Sequence, residues 1–146
     1  MLFRSALLTP LVACNDSRIE GGKVMGDPME GALLVLATKG GVVRDEVDRA
    51  LPRVAELPFD SAHKFMATFH RDAQFVKVFV KGAPDVLLAR CSSWRAAGSE
   101  QPLDAARREQ IDADYQALGE QGLRGLLIAS RSVPLSQFDA TADLSV

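Results

Sequence analysis

The sequence predicts an α+β fold, an antiparallel β-sheet with helices packed on it. Three observations predict it. Residues 64–70 and 75–81 alternate apolar and polar side chains around a short polar loop, the pattern of a β-hairpin. Asp27 and Asp104 each stand just before a helix-like run, as N-caps do. Strand-like and helix-like segments are interspersed along the chain, which suits an antiparallel sheet carrying helices.

The elements follow in order. Residues 2–14 read as a helix kinked or broken at Pro10. Gly21 and Gly22 mark a turn, and 23–26 a short strand. Asp27 then caps a helix with Pro28 in its first position and Glu30 three residues after the cap. Ala32, Leu33, Leu36 and Ala37 are expected on its inner face, and Gly40 and Gly41 end it. A short helix over 43–50 should turn Arg44, Asp45, Glu46, Asp48 and Arg49 to water. Residues 53–59 read as a strand near a sheet edge, because Pro58 cannot donate to a ladder. After the hairpin, 83–91 reads as a helix with Pro84 in its first turn, and 98–102 as a loop. Asp104 caps a helix from 105 to about 119, with Ile111, Tyr115 and Leu118 inward. Gly122 breaks it, and 124–133 is a last strand. The expectation is one domain over 1–146, with a core of about 1–133 and a weakly structured tail over 134–146.

Composition bounds the function. The chain has 146 residues, 47% hydrophobic and 25% charged, enough for a core without staples. A net charge of −2 gives no broad cationic field for nucleic acid or an acidic membrane, so any anion site must be local. Cys14 and Cys91 read as reduced, half-buried thiols, and no Cys-x-x-Cys or Cys/His cluster points to a metal. No run approaches the ~20 apolar residues of a membrane span. The apolar segment 5–14 is interrupted by Thr9 and Pro10 and lacks a cleavage pattern, so no signal peptide is read and the chain is expected to be soluble. There is no Gly-x-x-x-x-Gly-Lys-Ser/Thr loop and no Gly-x-Gly-x-x-Gly fingerprint. His63 and His70 read as lone surface histidines, and the acidic run around Asp112 and Asp114 as a solvated face.

The hairpin carries the sharpest expectation. With Arg71-Asp72-Ala73-Gln74 as its loop, His70 faces Phe75, Thr68 faces Lys77, Met66 faces Phe79, and Lys64 faces Lys81. One face then holds Phe65, Ala67, Phe69, Val76, Val78 and Val80, a wholly apolar core set. The other holds Lys64, Met66, Phe79 and Lys81. Two opposed lysines repel by up to about 1 kcal/mol, so this face is either solvated or an anion site with an apolar floor.

Four segments stand in order: Gly26-Asp27-Pro28-Met29-Glu30-Gly31-Ala32-Leu33, Pro58-Phe59-Asp60-Ser61-Ala62-His63-Lys64, Lys81-Gly82-Ala83-Pro84-Asp85, and Gly122-Leu123-Arg124. Together they resemble the nucleotide-binding domain of P-type ATPases, and within that family the bacterial calcium-type pumps. Cys14-Asn15-Asp16 and Leu87-Leu88-Ala89-Arg90-Cys91 also look familiar, and the resemblance covers roughly 1–133. It implies an ATP site. Phe59 would stack on adenine, or else be a core residue at a strand end. Glu30 would lie near the adenine amino group, or serve as capping partner of Asp27, or both. Lys64 and Lys81 would line the pocket and approach the nucleotide. Gly82 would let backbone and ligand approach closely. Arg124 would reach the phosphates, or form a surface salt bridge. Met66 would line the pocket or fill the core. Met29 departs from the family's usual Thr, and Phe65 from a basic residue.

The Asp-Lys-Thr-Gly-Thr segment that accepts the phosphoryl group is absent from the sequence. No residue is therefore expected to be catalytic or to bind a metal here. The resemblance implies a cytoplasmic domain of an integral membrane pump, reading as an excised piece that holds ATP (as Mg-ATP in the whole pump). It would deliver the γ-phosphate to an aspartate in a separate phosphorylation domain, with the phosphorylation and actuator domains as partners. Calcium, or else magnesium or another cation, would be the cargo, and a bacterial plasma membrane the site. The competing reading is a non-catalytic interaction domain that keeps the fold without binding nucleotide.

Overall fold

The computed structural model describes residues 2–96 and 98–141, with side chains described from residue 6 onward. A helix, α1 (Leu2–Ala13), keeps Pro10 inside it and passes into an ordered turn over 14–17. Two three-residue strands follow, β1 (Arg18–Glu20) and β2 (Lys23–Met25), of which only the second was expected. They form a small antiparallel ribbon. Then come α2 (Pro28–Lys39) and α3 (Arg44–Ala50).

The main sheet has four antiparallel strands in the order β3-β4-β5-β8. They are β3 (Arg53–Asp60), β4 (Phe65–Asp72), β5 (Phe75–Gly82) and β8 (Leu127–Pro134). β3 is an edge strand, as its proline suggested. Between β5 and β8 lie α4 (Pro84–Leu87), a single 3-10 turn over Leu88–Arg90, a hairpin of β6 (Ser93–Ala96) with β7 (Ser99–Pro102), and α5 (Ala105–Glu120). The expected loop at 98–102 is thus half of a hairpin. Among the described residues no helix is long and apolar enough to cross a membrane.

Both faces of the sheet are covered. Phe65, Ala67, Phe69, Val76, Val78 and Val80 form the apolar face that alternation predicted, closed by Leu87, Leu127, Leu135 and Phe138. The opposite face was expected to be either solvated or an anion site with an apolar floor. Instead Met66 and Phe79 pack there against Leu8, Leu11 and Val12 of α1, Leu34 and Ala37 of α2, and Val47 of α3. This layer places α1 and α2 directly behind the polar residues of β5.

The hairpin register differs from the expected one. Asp72 pairs with Phe75, His70 with Lys77, Thr68 with Phe79, and Met66 with Lys81. The turn is the two-residue Ala73-Gln74, with Ala73 at φ +50°. The shift equals two residues, an even number, so each side chain keeps its face and only its partner changes. No Gly or Asn announced the positive φ, and the hydrophobic pattern cannot distinguish registers two apart. Lys77 also binds Asp72 at 2.7 Å across this end of the hairpin.

Other expectations are corrected by packing. In α2, Gly31, Leu34 and Ala37 are buried while Ala32 and Leu36 are exposed. Residues 32–37 are apolar all round, so periodicity cannot select a face. Gly31 selects it, because a Cβ there would strike the Val24 side chain of β2. Arg44 is not on the solvent side, since its guanidinium donates to the carbonyls of Asn15 and Ser17, both at 2.9 Å. In α5 no residue is fully buried, and Leu118 is exposed. Part of the segment after 133 packs on the sheet. Leu135 donates its N–H to Gln74 at 2.8 Å, and Phe138 stacks on Phe69 with centroids 5.5 Å apart. Residues 142–146 of the expected tail lie outside the described residues.

Candidate functional site

One end of the main sheet gathers the expected residues. β3 ends at Asp60, β4 begins at Phe65, β5 ends at Gly82 and β8 begins at Leu127. Asp60 pairs with Phe65, Phe65 with Gly82, and Gly82 with Leu127. Antiparallel pairing therefore brings this row together from residues 60–65, 82 and 127. Phe59, Lys64, Met66 and Lys81 each stand one residue from the row, and Arg124 three residues before Leu127.

Phe59 sits in a β-bulge. Leu57 pairs with Ala67 and Asp60 with Phe65, so Pro58 and Phe59 together oppose the single residue Met66. A bulge puts two consecutive residues on one side of the sheet. Phe59 thereby falls on the face of Met66 and Lys81, where strict alternation from Leu57 would have put it on the other. Its side chain is not core, being 64% exposed, a large apolar area left in water.

Lys81 is 3% exposed and lies between Met66 and Ile128 in the ladder. Its ammonium donates to Glu30 Oε1 from the first turn of α2. Lys64 and Lys81 are therefore not opposed, and the gap between them needs no anion. Glu30 also does not reach back to Asp27. Asp27 Oδ1 alone caps α2, accepting from the N–H groups of Met29 and Glu30. The second carboxylate oxygen of Glu30 accepts the N–H of Asp16 at 3.1 Å. A buried lysine needs such a partner, because an unpaired charge there costs several kcal/mol.

Lys64 precedes β4 in a left-handed conformation, φ +60°. Its half-exposed ammonium meets Asp85 at 3.2 Å, a contact worth little in water. Gly82 makes a close approach to protein. A Cβ there would lie 2.5 Å from the Lys64 carbonyl oxygen and 2.5 Å from Phe65 Cβ. Met66 is a core residue, 3% exposed. Arg124 is exposed in the segment between α5 and β8.

Three residues were not read as parts of a site. Asn15 and Asp16 bond Glu30, Arg53 from the far end of β3 holds both of them, and the Cys14-Asn15-Asp16 segment was the available signal. His70 is also not on the surface. It is 1% exposed, its Nδ1 pairs with the Leu51 carbonyl at 2.8 Å, and burial lowers its pKa. Cys14 is fully buried rather than half-buried, and desolvation raises the pKa of both thiols.

The family model for the P-type ATPase cytoplasmic domain N matches residues 4–145. The chain belongs to that family. Calcium-transporting ATPase 1 of Lactococcus lactis is 35% identical over 136 residues, covering 92% of this chain and 16% of the relative. The calcium-transporting ATPase of Bacillus subtilis is 38% identical over 125 residues, 82% of this chain and 14% of the relative. A cation-transporting ATPase of Synechocystis is 35% identical over 136 residues, 90% and 15%. The chain thus spans about one-sixth of the length of these relatives.

Among the described residues, two concavities are lined by residues other than Phe59. A shallow one of about 440 Å³ is lined by Val24, Pro28, Gly31 and Val35. A cleft of about 710 Å³ runs beside β8, lined by Leu7, Leu87, Trp94, Ile111 and Ile128 among others. Near the sheet end Phe59 is exposed, Lys64 and Arg124 are exposed cations, and Lys81 is buried in its pair with Glu30.

Proposed function

We propose that this N domain binds ATP and holds out its γ-phosphate for transfer to the aspartate of a separate phosphorylation domain in a cation-transporting pump. The observation that carries the reading is Phe59, an exposed ring on the same sheet face as Met66 and Lys81. Base–aromatic stacking contributes about 1–3 kcal/mol. An exposed ring at a bulge offers that surface with no cost in core packing.

The charges divide the site. Glu30 and Lys81 neutralise each other, so their end suits an uncharged base, with Glu30 near the adenine amino group. Lys64 and Arg124 are exposed cations and suit phosphate oxygens, Arg124 by a forked contact. Lys81 thus moves from the phosphate role the sequence suggested to a place beneath the base. Gly82 and Met66 support the sheet end from within. Phosphoryl transfer is largely positioning and charge stabilisation. This domain would supply the positioning, and the aspartate lies outside its sequence.

In the pump, the phosphorylation and actuator domains of the same polypeptide are the partners, on the cytoplasmic side of a membrane. Calcium is the cargo that the relatives' names favour. In the whole pump the nucleotide would be held as Mg-ATP.

The test is an ATP titration followed by amide NMR. Saturable shifts should centre on Phe59, Lys64, Lys81 and Arg124, with no ATP turnover. Phe59→Ala should weaken binding about 5- to 150-fold, as loss of 1–3 kcal/mol of stacking requires. Absence of shifts up to several millimolar ATP would leave the non-catalytic interaction domain as the reading.

A further inference from the structure

We propose that Asn15 is a positioning residue for the base end of this site, acting through Glu30. The proposal rests on the function proposed above. Asn15 is completely buried, yet both ends of its side-chain amide are bonded. Its Nδ2 donates to the carbonyls of Leu11 at 2.9 Å and Glu30 at 2.8 Å, and its Oδ1 accepts the N–H of Ser17 at 2.9 Å. Two carbonyl partners on one side and an N–H on the other fix the orientation of the amide without ambiguity.

These bonds tie the end of α1 to the first turn of α2 and fold 14–17 into a tight turn. The turn aims the Asp16 N–H at Glu30 Oε2, 3.1 Å away. The other oxygen of Glu30 is held by Lys81. Glu30 is thus fixed at its backbone carbonyl and at both carboxylate oxygens, and two of these three contacts come from the Asn15-Asp16 turn. The turn is clamped in its own right. Arg44 and Arg53 both donate to the Asn15 carbonyl, at 2.9 and 3.1 Å, and Arg53 binds Asp16 Oδ1 at 2.8 Å. Ser17 Oγ adds a bond to the Asp27 carbonyl at 3.0 Å.

A buried side chain with this many bonds could simply hold the fold. What distinguishes the proposal is the direction of the Asp16 N–H, which serves only the carboxylate of Glu30. A carboxylate that reads an exocyclic amino group must present a fixed lone pair, and one held on two sides does so with little entropy left to lose. Asn15 therefore sets selectivity for a 6-amino purine, without touching the ligand.

The test compares ATP with ITP, which carries a carbonyl in place of the amino group, and with inorganic tripolyphosphate. Wild type should prefer ATP to ITP. Asn15→Ala and Asn15→Asp should reduce that preference about two- to tenfold, the worth of one hydrogen bond, and leave tripolyphosphate binding unchanged. Glu30→Gln should reduce it likewise. A folded Asn15→Ala with the wild-type preference overturns the proposal alone, while a wild type without preference overturns the base-end reading as well. If neither Asn15 variant folds, the Asp16 amide resonance of the wild type decides. It should move on ATP addition more than on ITP addition, and equal movement rejects the proposal.

Discussion

Lys81 on the central strand β5 and Glu30 in the first turn of α2 form a buried ion pair, 51 residues apart in sequence. Their side chains are 4% and 12% exposed. The pair joins the sheet to the helical layer behind it, beside the Phe59 bulge. Breaking it from one side leaves a charge without its counterion in a poorly solvated place. Lys81→Met should therefore cost about 3–5 kcal/mol of unfolding free energy in urea titration. The double variant Glu30→Gln/Lys81→Met should recover most of that loss. A double-mutant coupling near zero would show that the two side chains do not stabilise each other.

His70 should make stability fall with acid. Its ring is buried against Phe79, centroids 5.4 Å apart, with Nδ1 on the Leu51 carbonyl. Desolvation lowers its pKa below the ordinary 6.5, the positive charge of Arg53 works in the same direction, and the Leu51 bond and Asp48 oppose both. The unfolded chain therefore binds the proton more readily. The histidine's contribution is complete above pH 6.5 and is lost as pH falls from there through the lower folded-state value. Urea unfolding between pH 8 and 5 should show this slope. His70→Gln, which keeps a donor for Leu51, should flatten it.

Two glycines should respond oppositely to alanine. At Gly82 the new Cβ would meet backbone and Cβ atoms of Lys64 and Phe65 at 2.5 to 2.8 Å, none at the end of a flexible side chain. Gly82→Ala should destabilise by about 1–3 kcal/mol. At Gly119, inside α5, nothing lies within 4 Å of the added carbon. Gly119→Ala should stabilise by about 0.5–1 kcal/mol, because alanine loses less backbone freedom in a helix. Thermal unfolding of both variants checks the pair.

Phe138 should matter to stability although it lies past the last strand. It stacks on Phe69 and belongs to the core under β4 and β5. Phe138→Ala should lower the unfolding free energy by about 2 kcal/mol, less than a fully buried Phe because the ring is half-buried. An unchanged melting temperature would return this segment to the loose tail that its composition suggested.

The sequence by itself determined the α+β class, the caps at Asp27 and Asp104, the four strands of the main sheet and the identity of one sheet face. These rest on local rules: alternation, capping and the backbone limits of proline and glycine. The tertiary structure alone decided which charges meet. The two-residue register shift parted Lys64 from Lys81 while leaving every face intact, so no hydrophobic pattern could reveal it. It also decided that the second sheet face is buried, because α1 and α2 are apolar on more than one side and only packing selects the side used. The bulge at Pro58-Phe59 opposite Met66, and the pairing of Lys81 with Glu30, are relations between separate elements. Their geometry is set when the layers close, since a buried ammonium must then take the carboxylate within reach.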